Sequence, residues 1–444
     1  MSTPSNHARS PAVAAEASGA FRACVHRGTR EIGGTCVELA CASERLLLDL
    51  GLPLDADPTA DPTLLLPAVA GLREPDASLR GLIVSHGHAD HWGLLPHASA
   101  TIPVVAGAAT LRILRAAAPF VPRPLPAAFL AEGGPVLEHG VPLTLGPFQV
   151  TPTLVDHSAY DAYALLVEAG GRRLFYSGDL RAHGRKGALF ERLLRDPPRG
   201  VDTMLMEGST LGRLGPEGRF PTEGEIEATF VERLRAPGFV AVCASAQNID
   251  RVVSLYRACK KTGRTLVLDL YALEVLRATE NPNIPAAGLP NLAVYVPEYQ
   301  RRHIARTKRF DLLAPYKPHR IYPEGLAALA PRAVMLFRPA MLPDLDAAGA
   351  EVSSGARVIW SQWDGYLRDG GGSGAKLRTA LAERGVGFEV VHTSGHASIA
   401  DLQRLVAALQ PTALVPVHTF AGDRFAEHFG SSVVRRADGE WWDV

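Results

Sequence analysis

The sequence predicts an α/β protein in which one αβ domain is interrupted by a second αβ domain. The chain has 444 residues, more than a single hydrophobic core usually serves. Short β-rich segments dominate the first half, whereas strands and helices alternate from about residue 209 onward. The flexible stretch DGGGSG, residues 369–374, then separates this alternating region from a last block of helices and strands.

These changes in texture divide the chain into four parts. We predict a disordered tail, the first part of the main domain, an inserted domain and the second part of the main domain, at residues 1–20, 21–208, 209–374 and 375–444. The tail is rich in Pro, Ser and Ala, and it lacks the apolar core of a signal peptide. The insert begins with a capping box, Thr222 with Glu225, and continues as the strand GFVAVCAS and a helix opened by Asn248. This is the βαβ pattern of a parallel sheet.

Composition excludes several classes of protein. The 46 Lys and Arg residues balance the 46 Asp and Glu residues, so a polyanion would have to be held by a local patch of charge. No apolar run approaches the roughly 18 residues of a membrane span. The five cysteines form no C-x-x-C pair, which indicates buried thiols and a cytoplasmic location.

The densest chemical signal is GLIVSHGHADHWGLL, residues 81–95. His86, His88, Asp90 and His91 fall within six positions, directly after an apolar run that reads as a buried strand. Histidines two apart at the end of a strand can surround one ion, and the Asp-His pair beyond them can turn toward a second. Neutral imidazole together with carboxylate suits zinc when no thiolates are offered.

Other candidate ligands also stand where predicted strands end. His157 ends FQVTPTLVDH, Asp179 ends RRLFYSGD, and His418 ends TALVPVH. A single histidine at the end of a strand is more often an ordinary hydrogen-bonded residue, so the set carries more weight than its members. Three ligands for each ion plus a shared carboxylate make an open dinuclear hydrolytic site.

These motifs resemble a known family. The series H-x-H-x-D-H at residues 86–91, then His157 and the Asp179 of SGDLR, is similar to the metallo-β-lactamase fold, an αββα sandwich of two sheets packed face to face with helices outside. Asp49 in LLLDLG resembles the structural Asp of its first motif. Glu207 in LMEGST, His396 in HTSGHAS and His418 in VPVH resemble motifs A, B and C of the β-CASP nucleases, which include ribonuclease J and the messenger-RNA 3′-end processing endonuclease. That family carries its inserted β-CASP α/β domain where residues 209–374 stand here.

The resemblance implies a role for each candidate. One zinc would be held by His86, His88 and His157, and the other by Asp90, His91 and His418, with Asp179 bridging the two. Manganese remains an alternative to zinc. Ser394 and His396 would contact the scissile phosphate, Glu207 would orient His396, and Asp90, Glu207 and His396 would take part in catalysis.

The function that follows is a zinc-dependent phosphodiesterase that cleaves RNA, exo- or endonucleolytically, by a two-metal hydroxide mechanism. A histidine held by a carboxylate, His396 with Glu207, is suited to protonate the leaving oxygen. His418 favours single-stranded RNA as the substrate, because DNA-specific relatives generally lack it. A DNA nuclease of the same fold and a small-molecule thioester or lactam hydrolase remain as alternatives. The oligomeric state, including a homodimer, stays open.

Two other features leave their roles open. YQRRHIARTKRF (299–310) and CKKTGR (259–264) are rich in cations and could pair with phosphates, although such runs are more often solvated helix faces. WSQWDGY (360–366) carries three aromatic residues that could line a cleft. Aromatics at this spacing usually belong to a core, and we assign them no role at this stage.

Overall fold

The structure is a computed structural model that describes residues 19–444 apart from 58, 123, 125, 131–132, 214–217, 348, 350–354 and 369–371. The predicted tail therefore lies outside the described residues except for its last two positions, as does half of DGGGSG. Within the described residues the strands are β1 Phe21–Arg27, β2 Cys36–Cys41, β3 Glu44–Leu48, β4 Leu79–Ile83, β5 Val104–Val105, β6 Leu143–Leu145, β7 Phe148–Val155, β8 Ala162–Ala169, β9 Arg172–Tyr176, β10 Thr203–Glu207, β11 Val240–Cys243, β12 Thr265–Leu268, β13 Leu292–Tyr295, β14 Arg320–Ile321, β15 Ala333–Leu336, β16 Arg357–Trp360, β17 Gly387–Val390, β18 Ala413–Val417 and β19 Trp441–Asp443.

The α-helices connect these strands and cover their sheets. They are α1 Ala89–Trp92, α2 Ala108–Ala117, α3 Gly187–Arg195, α4 Glu223–Arg233, α5 Ile249–Thr262, α6 Leu270–Arg277, α7 Glu298–Thr307, α8 Pro323–Leu329, α9 Leu342–Ala347, α10 Ser373–Glu383, α11 Ile399–Leu409 and α12 Phe425–Phe429. The predicted capping box opens α4, because the Thr222 side chain accepts from the Glu225 amide and the Glu225 side chain accepts from the Thr222 amide.

Two mixed sheets form a sandwich. Their strand orders are β19-β1-β2-β3-β4-β5 and β18-β10-β9-β8-β7-β6. Side chains alternate across β8, so that Leu165 and Val167 enter the core between the sheets while Ala164 and Leu166 face a second core beneath α3 and α11. A third apolar cluster covers the outer face of the other sheet with α1 and α2. The prediction of an αββα sandwich is confirmed.

The third sheet is parallel throughout and has the order β14-β13-β12-β15-β11-β16-β17. Both of its faces are buried. Val240 and Val242 of β11 join a core with α5 and α6, whereas Ala241 and Cys243 join a core with α8, α9 and α10. Continuous apolar strands are what a parallel sheet covered on both faces requires, and we refer to this sheet with its helices as the inserted lobe.

The inserted lobe extends further along the chain than the sequence predicted. β17, Gly387–Val390, pairs in parallel with β16 at the edge of the third sheet. The predicted return to the main domain at residue 375 therefore comes too early, and we place it after β17. The helix and strand were expected in this region, but only pairing partners decide which sheet a strand joins, and an edge strand without a fully buried residue carries no signal of them.

Buried charged residues join the inserted lobe to the sandwich. Within the lobe, Arg251 of α5 is fully buried and contacts the Glu223 carboxylate at 2.9 Å and the Ser361 carbonyl at 2.9 Å, and it holds that carboxylate 3.8 Å from Arg181 of the sandwich. Arg181, also fully buried, follows β9 in the sandwich and donates to Asp250 of α5 at 2.7 Å. Charges without access to water need such partners, so these pairs fix where the lobe sits on the sandwich.

The cysteines agree with the sequence prediction of buried thiols. All five lie within the described residues, and each is free and buried. Among the described residues, none of the helices combines the length and the hydropathy that crossing a membrane would take.

Removing the buried guanidinium should destabilise the fold. Arg251→Met leaves the Glu223 carboxylate buried without its partner, which typically costs about 3–5 kcal/mol of the free energy of unfolding. The measurement is urea unfolding followed by circular dichroism. Arg257→Met is the matched control on the same helix, because its side chain is 56% exposed and lies 3.9 Å from Glu227, a geometry worth about 0–1 kcal/mol. Equal unfolding midpoints for the two variants would contradict this account of the interface.

Candidate metal centre

The seven predicted metal ligands come together at one edge of the sandwich. His86 follows β4, His157 follows β7, Asp179 follows β9, and His418 follows β18. His88 is the N-cap of α1, and this one-turn helix carries Asp90 and His91 back toward the strand ends. These four strands, from both sheets of the sandwich, end at the same edge. Ligands that are far apart in the sequence therefore become neighbours.

Their ligand atoms form two adjoining groups. One contains His86, His88 and His157, and the other contains Asp90, His91, Asp179 and His418; within each group the atoms lie within 4.8 Å of one another. Asp179 stands between the groups. Its Oδ2 is 3.1 Å from Nε2 of His91 and 3.7 Å from Nε2 of both His86 and His418.

Several atoms of this site have no hydrogen-bond partner among the described residues. Nε2 of His86, Nε2 of His418 and Oδ1 of Asp179 are all buried and unpaired. Buried polar atoms are rarely left in this state, and three together require an explanation. Imidazole nitrogens and carboxylate oxygens that converge without protons between them fit a divalent cation.

The outward-facing nitrogens of the histidines are held by hydrogen bonds. Nδ1 of His91 donates to Asp49 Oδ2 at 2.7 Å, and Nδ1 of His157 donates to the Gly395 carbonyl at 2.6 Å. Nδ1 of His418 lies 2.8 Å from Oγ1 of Thr35 and accepts from the Gly33 amide at 3.4 Å. The carboxylate and carbonyl acceptors fix the tautomers of His91 and His157, and all of these contacts fix ring orientation, so that Nε2 of each ring faces the site.

Asp49 organises one side of the centre. Besides His91, it accepts hydrogen bonds from the Ser85 amide at 2.7 Å, the Ser85 hydroxyl at 2.8 Å and the Tyr176 hydroxyl at 2.6 Å. Its backbone is left-handed with φ 60°, and that of His418 is left-handed with φ 52°. Such conformations are uncommon outside glycine and often mark functional sites.

Charge and burial set the protonation of the ligands. Burial, helped by neighbouring imidazoles, lowers the pKa of His86 and His157 well below the ordinary value and keeps them neutral. Burial disfavours the charged form of Asp179, but His418 and His91 hold its pKa well below the usual range. Burial likewise works against charge on His91, yet Asp179 and Asp49 raise its pKa well above the ordinary value. A cation that binds here would displace the proton of His91 and keep the same carboxylate partners.

His396 and Glu207 lie beside the ligands and form, with Asp179, a third group whose ligand-type atoms lie within 4.8 Å of one another. Nδ1 of His396 donates to Glu207 Oε2 at 2.8 Å and is 3.8 Å from Oδ2 of Asp179. Glu207 is held in place because its two oxygens also accept from the Leu180 amide and the Ser209 hydroxyl. Burial alone would lower the pKa of His396, but Glu207 and Asp179 outweigh it and raise its pKa to about 9.

Ser394 lies next to this pair. Its hydroxyl accepts from the His396 amide at 3.0 Å, and its carbonyl accepts from Arg181 and His183 at 3.2 and 2.9 Å. The hydroxyl thus shapes the turn that carries His396. The phosphate contact predicted for Ser394 remains a prediction.

Sequence reasoning missed several residues that support the site. Thr35 and the Gly395 carbonyl orient two ligands, and Arg181 links the Ser394 carbonyl to Asp156, the neighbour of His157. Gly395 stood inside a quoted motif, but a backbone carbonyl leaves no trace in residue type. Thr35 offered no signal, because it becomes a partner of His418 only across 383 residues of chain.

The two basic segments have different outcomes. Arg264 is buried and its guanidinium donates to backbone carbonyls, so it is structural. On α7, Arg302 pairs with Glu298 at 2.6 Å, and Arg309 pairs with Asp311 at 2.8 Å. These internal pairs favour the interpretation of residues 299–310 as a solvated face.

Loss of one supporting hydroxyl should weaken metal binding. Thr35→Val removes the partner of His418 Nδ1 at nearly constant volume, and loss of such an outer contact typically costs about 10–100-fold in metal affinity. The measurement is competition for Zn²⁺ against a chromophoric chelator. Thr279→Val is the matched control, because Thr279 is a buried threonine whose hydroxyl donates to the Leu276 carbonyl in the inserted lobe. An unchanged affinity for Thr35→Val would mean that this contact does not orient a ligand.

Comparisons with known proteins agree with this geometry. A family model described as a beta-lactamase superfamily domain matches residues 47–235, and one described as a Zn-dependent metallo-hydrolase RNA specificity domain matches residues 387–430. Ribonuclease J of Mycobacterium tuberculosis is 25% identical over 429 residues, which cover 90% of this chain and 69% of that protein. Ribonuclease J of Sinorhizobium meliloti is 24% identical over 388 residues, which cover 84% and 63%.

A solved structure supports the fold alone. A protein of unknown function from Enterococcus faecalis superposes with a TM-score of 0.76 at 20% identity, covering 96% of this chain and 100% of that one.

The two histidine and aspartate groups, together with the metallo-hydrolase match, indicate a divalent metal site. The chain therefore contains a domain of the beta-lactamase superfamily at residues 47–235 and an RNA specificity domain like that of Zn-dependent metallo-hydrolases at residues 387–430.

Proposed function

We propose that this protein is a metal-dependent ribonuclease of the β-CASP type, acting on single-stranded RNA. The observation that carries the proposal is the position of His396, which is held by Glu207 and is none of the seven predicted ligands, although with Glu207 and Asp179 it forms a third, adjoining group. A phosphodiester has a poor leaving oxygen that benefits from such a proton donor. Similarity to ribonuclease J along most of the chain supports the same substrate class.

The donor sets suit two ions, which we take to be zinc, with manganese as the alternative. His86, His88 and His157 would hold one ion, and Asp90, His91 and His418 the other, with Asp179 shared. When bound, such ions favour the ionisation of water near neutral pH and neutralise charge on phosphoryl oxygens. No thiol takes part, because the five cysteines lie buried elsewhere in the fold.

The chain's own groups would handle the leaving oxygen. Nδ1 of His396 is engaged by Glu207, which leaves Nε2 to face the substrate. As water attacks phosphorus and the bond to the leaving oxygen breaks, Nε2–H would pass its proton to that oxygen. Glu207 stabilises the charged imidazolium beforehand, so the proton is in place at neutral pH.

The partners follow from the same site. RNA is the expected substrate and DNA the alternative, while a thioester or lactam hydrolase would have no use for the pairing of His396 with Glu207. The cytoplasmic location inferred from the cysteines is part of the proposal, as is the absence of a membrane partner.

The proposal is tested with 5′-labelled RNA and DNA of equal sequence, incubated with the purified protein with and without chelator. We expect chelator-sensitive cleavage of RNA, much slower cleavage of DNA, and close to two zinc or manganese ions per chain by elemental analysis. Faster cleavage of DNA would favour the nuclease alternative. Hydrolysis of thioesters or lactams without cleavage of either nucleic acid would overturn the proposal.

Loss of His396 should separate chemistry from metal binding. His396→Ala should keep the metal content, because this residue is none of the seven predicted ligands, yet lose about a hundredfold to ten-thousandfold in the rate of RNA cleavage. Loss of metal in this variant would instead assign an ion to the third group, formed by His396, Glu207 and Asp179. His303→Ala, which changes a partly exposed histidine of α7, should retain the wild-type rate.

An activated substrate tests the proton transfer itself. An aryl phosphodiester has a leaving group that needs no proton, so its hydrolysis should be far less sensitive to His396→Ala than RNA cleavage is. Equal losses on the two substrates would assign His396 to substrate binding rather than to acid catalysis.

A further inference from the structure

An aromatic and cationic cluster, formed by residues of the inserted lobe and by Arg213 from the segment after β10, lies close to the candidate metal centre. The loop after β16 folds so that the Trp363 and Tyr366 rings meet edge to face with centroids 5.4 Å apart. The guanidinium of Arg213 lies 4.9 Å from the Trp363 ring centroid, and that of Arg368 lies 5.8 Å from it. We call Arg213, Trp363, Tyr366 and Arg368 the aromatic platform.

The platform lies near the predicted metal ligands, which belong to the sandwich, although its Trp363, Tyr366 and Arg368 belong to the inserted lobe. Partial burial and the carboxylate of Asp90 raise the pKa of Tyr366, and Arg213 opposes that change. Burial lowers the pKa of Arg213, against the influence of Glu207. Hydrogen bonds place the platform next to the same groups: the Arg213 amide donates to the Thr210 carbonyl at 3.0 Å, and the Thr210 hydroxyl donates to the carbonyl of Ala397, the residue after His396, at 2.7 Å.

Tyr366 is unusually open for an aromatic residue in such a place. This residue is 50% exposed. Two more large apolar side chains are exposed around the same metal group. Leu54 is 45% exposed and packs with Asp90 against Gly33, and Phe420, two residues after His418, is 67% exposed. Exposed apolar groups gathered around a polar centre indicate a binding surface.

Trp363, by contrast, is fixed. Its carbonyl accepts from the indole of Trp360 at 3.1 Å, its ring covers Gly365 so closely that a Cβ there would fall 2.3 Å from a ring atom, and Arg213 lies over it. Because the Trp363 ring is fixed and contacts the exposed Tyr366 ring, it gives Tyr366 a defined orientation. The guanidinium groups of Arg213 and Arg368 would attract the phosphates of a nucleic acid strand.

We propose that Tyr366 stacks on a nucleobase next to the scissile phosphate, with Trp363 as the residue that positions it. The inference rests on the proposed function, since it assumes a nucleic acid strand in the cleft. Stacking on an aromatic ring accepts any base, so this contact would set the register of the strand against His396 without reading sequence. The segment WSQWDGY, which had no role from sequence alone, would thus form part of the substrate site.

A cycle that changes the enzyme and the RNA together tests the contact. The substrates are a labelled RNA oligonucleotide and a set of variants, each with one abasic residue at successive positions around the cleavage point. The wild type should lose roughly five- to hundredfold in kcat/KM when one particular base is missing. Tyr366→Ala should lose a similar factor on the intact RNA and show no additional loss at that position, because the two changes remove the same interaction.

Controls separate this result from misfolding and from failure of the proposed function. Tyr366→Phe keeps the ring and should keep the dependence on the base, and metal content reports on folding of the site. Tyr322→Ala removes a tyrosine that is 57% exposed, also lies under a guanidinium, and follows β14 at the far edge of the same sheet, so it should behave like the wild type. Additive losses at every position would overturn the stacking contact while leaving the ribonuclease proposal intact. A wild type that cleaves no RNA would overturn both.

Discussion

The structure depends on gathering seven predicted ligand side chains in one place, five of them buried and two, His88 and Asp90, half-buried. Five imidazoles and two carboxylates meet at the strand ends, and three of their atoms have no hydrogen-bond partner among the described residues. Removing such groups from water costs free energy unless other hydrogen bonds replace those to water. Asp49, Thr35 and the Gly395 carbonyl supply such hydrogen bonds, each to the Nδ1 of one imidazole, which faces away from the site. The inner faces stay free for a cation, and the sandwich acts as a rigid frame for them.

The same frame couples the metal centre to the inserted lobe. Arg181 follows Asp179 by two residues, and its guanidinium contacts Asp156 beside His157, the Ser394 carbonyl beside His396, and Asp250 on the lobe. One buried cation thus touches the segments that carry ligands, the proton donor and the lobe. A movement of the lobe would therefore displace the segments around the metal centre, because the buried guanidinium of Arg181 cannot exchange its partners for water.

The two parts of the fold supply different groups. The sandwich supplies all seven predicted metal ligands, together with Glu207, while the inserted lobe supplies Trp363, Tyr366 and Arg368 of the aromatic platform. His396 comes from the chain just after β17, where it leaves the lobe and returns to the sandwich. Its raised pKa depends on carboxylates of the sandwich, so the environment of the proposed proton donor is complete only when the two parts of the chain are assembled.

The sequence by itself determined the local chemistry. The histidine and aspartate spacing at residues 86–91, the ends of the apolar runs before His157, Asp179 and His418, and the capping box at Thr222 could all be read from residue type and period, because each depends on neighbours a few positions apart. Tertiary structure decided the rest. Whether β17 joined the sandwich or the lobe, which threonine supported His418, and whether Trp363 and Tyr366 lay in a core or faced a cleft depended on contacts between distant segments. Such contacts are set by packing and strand pairing over the whole chain, and no local pattern encodes them.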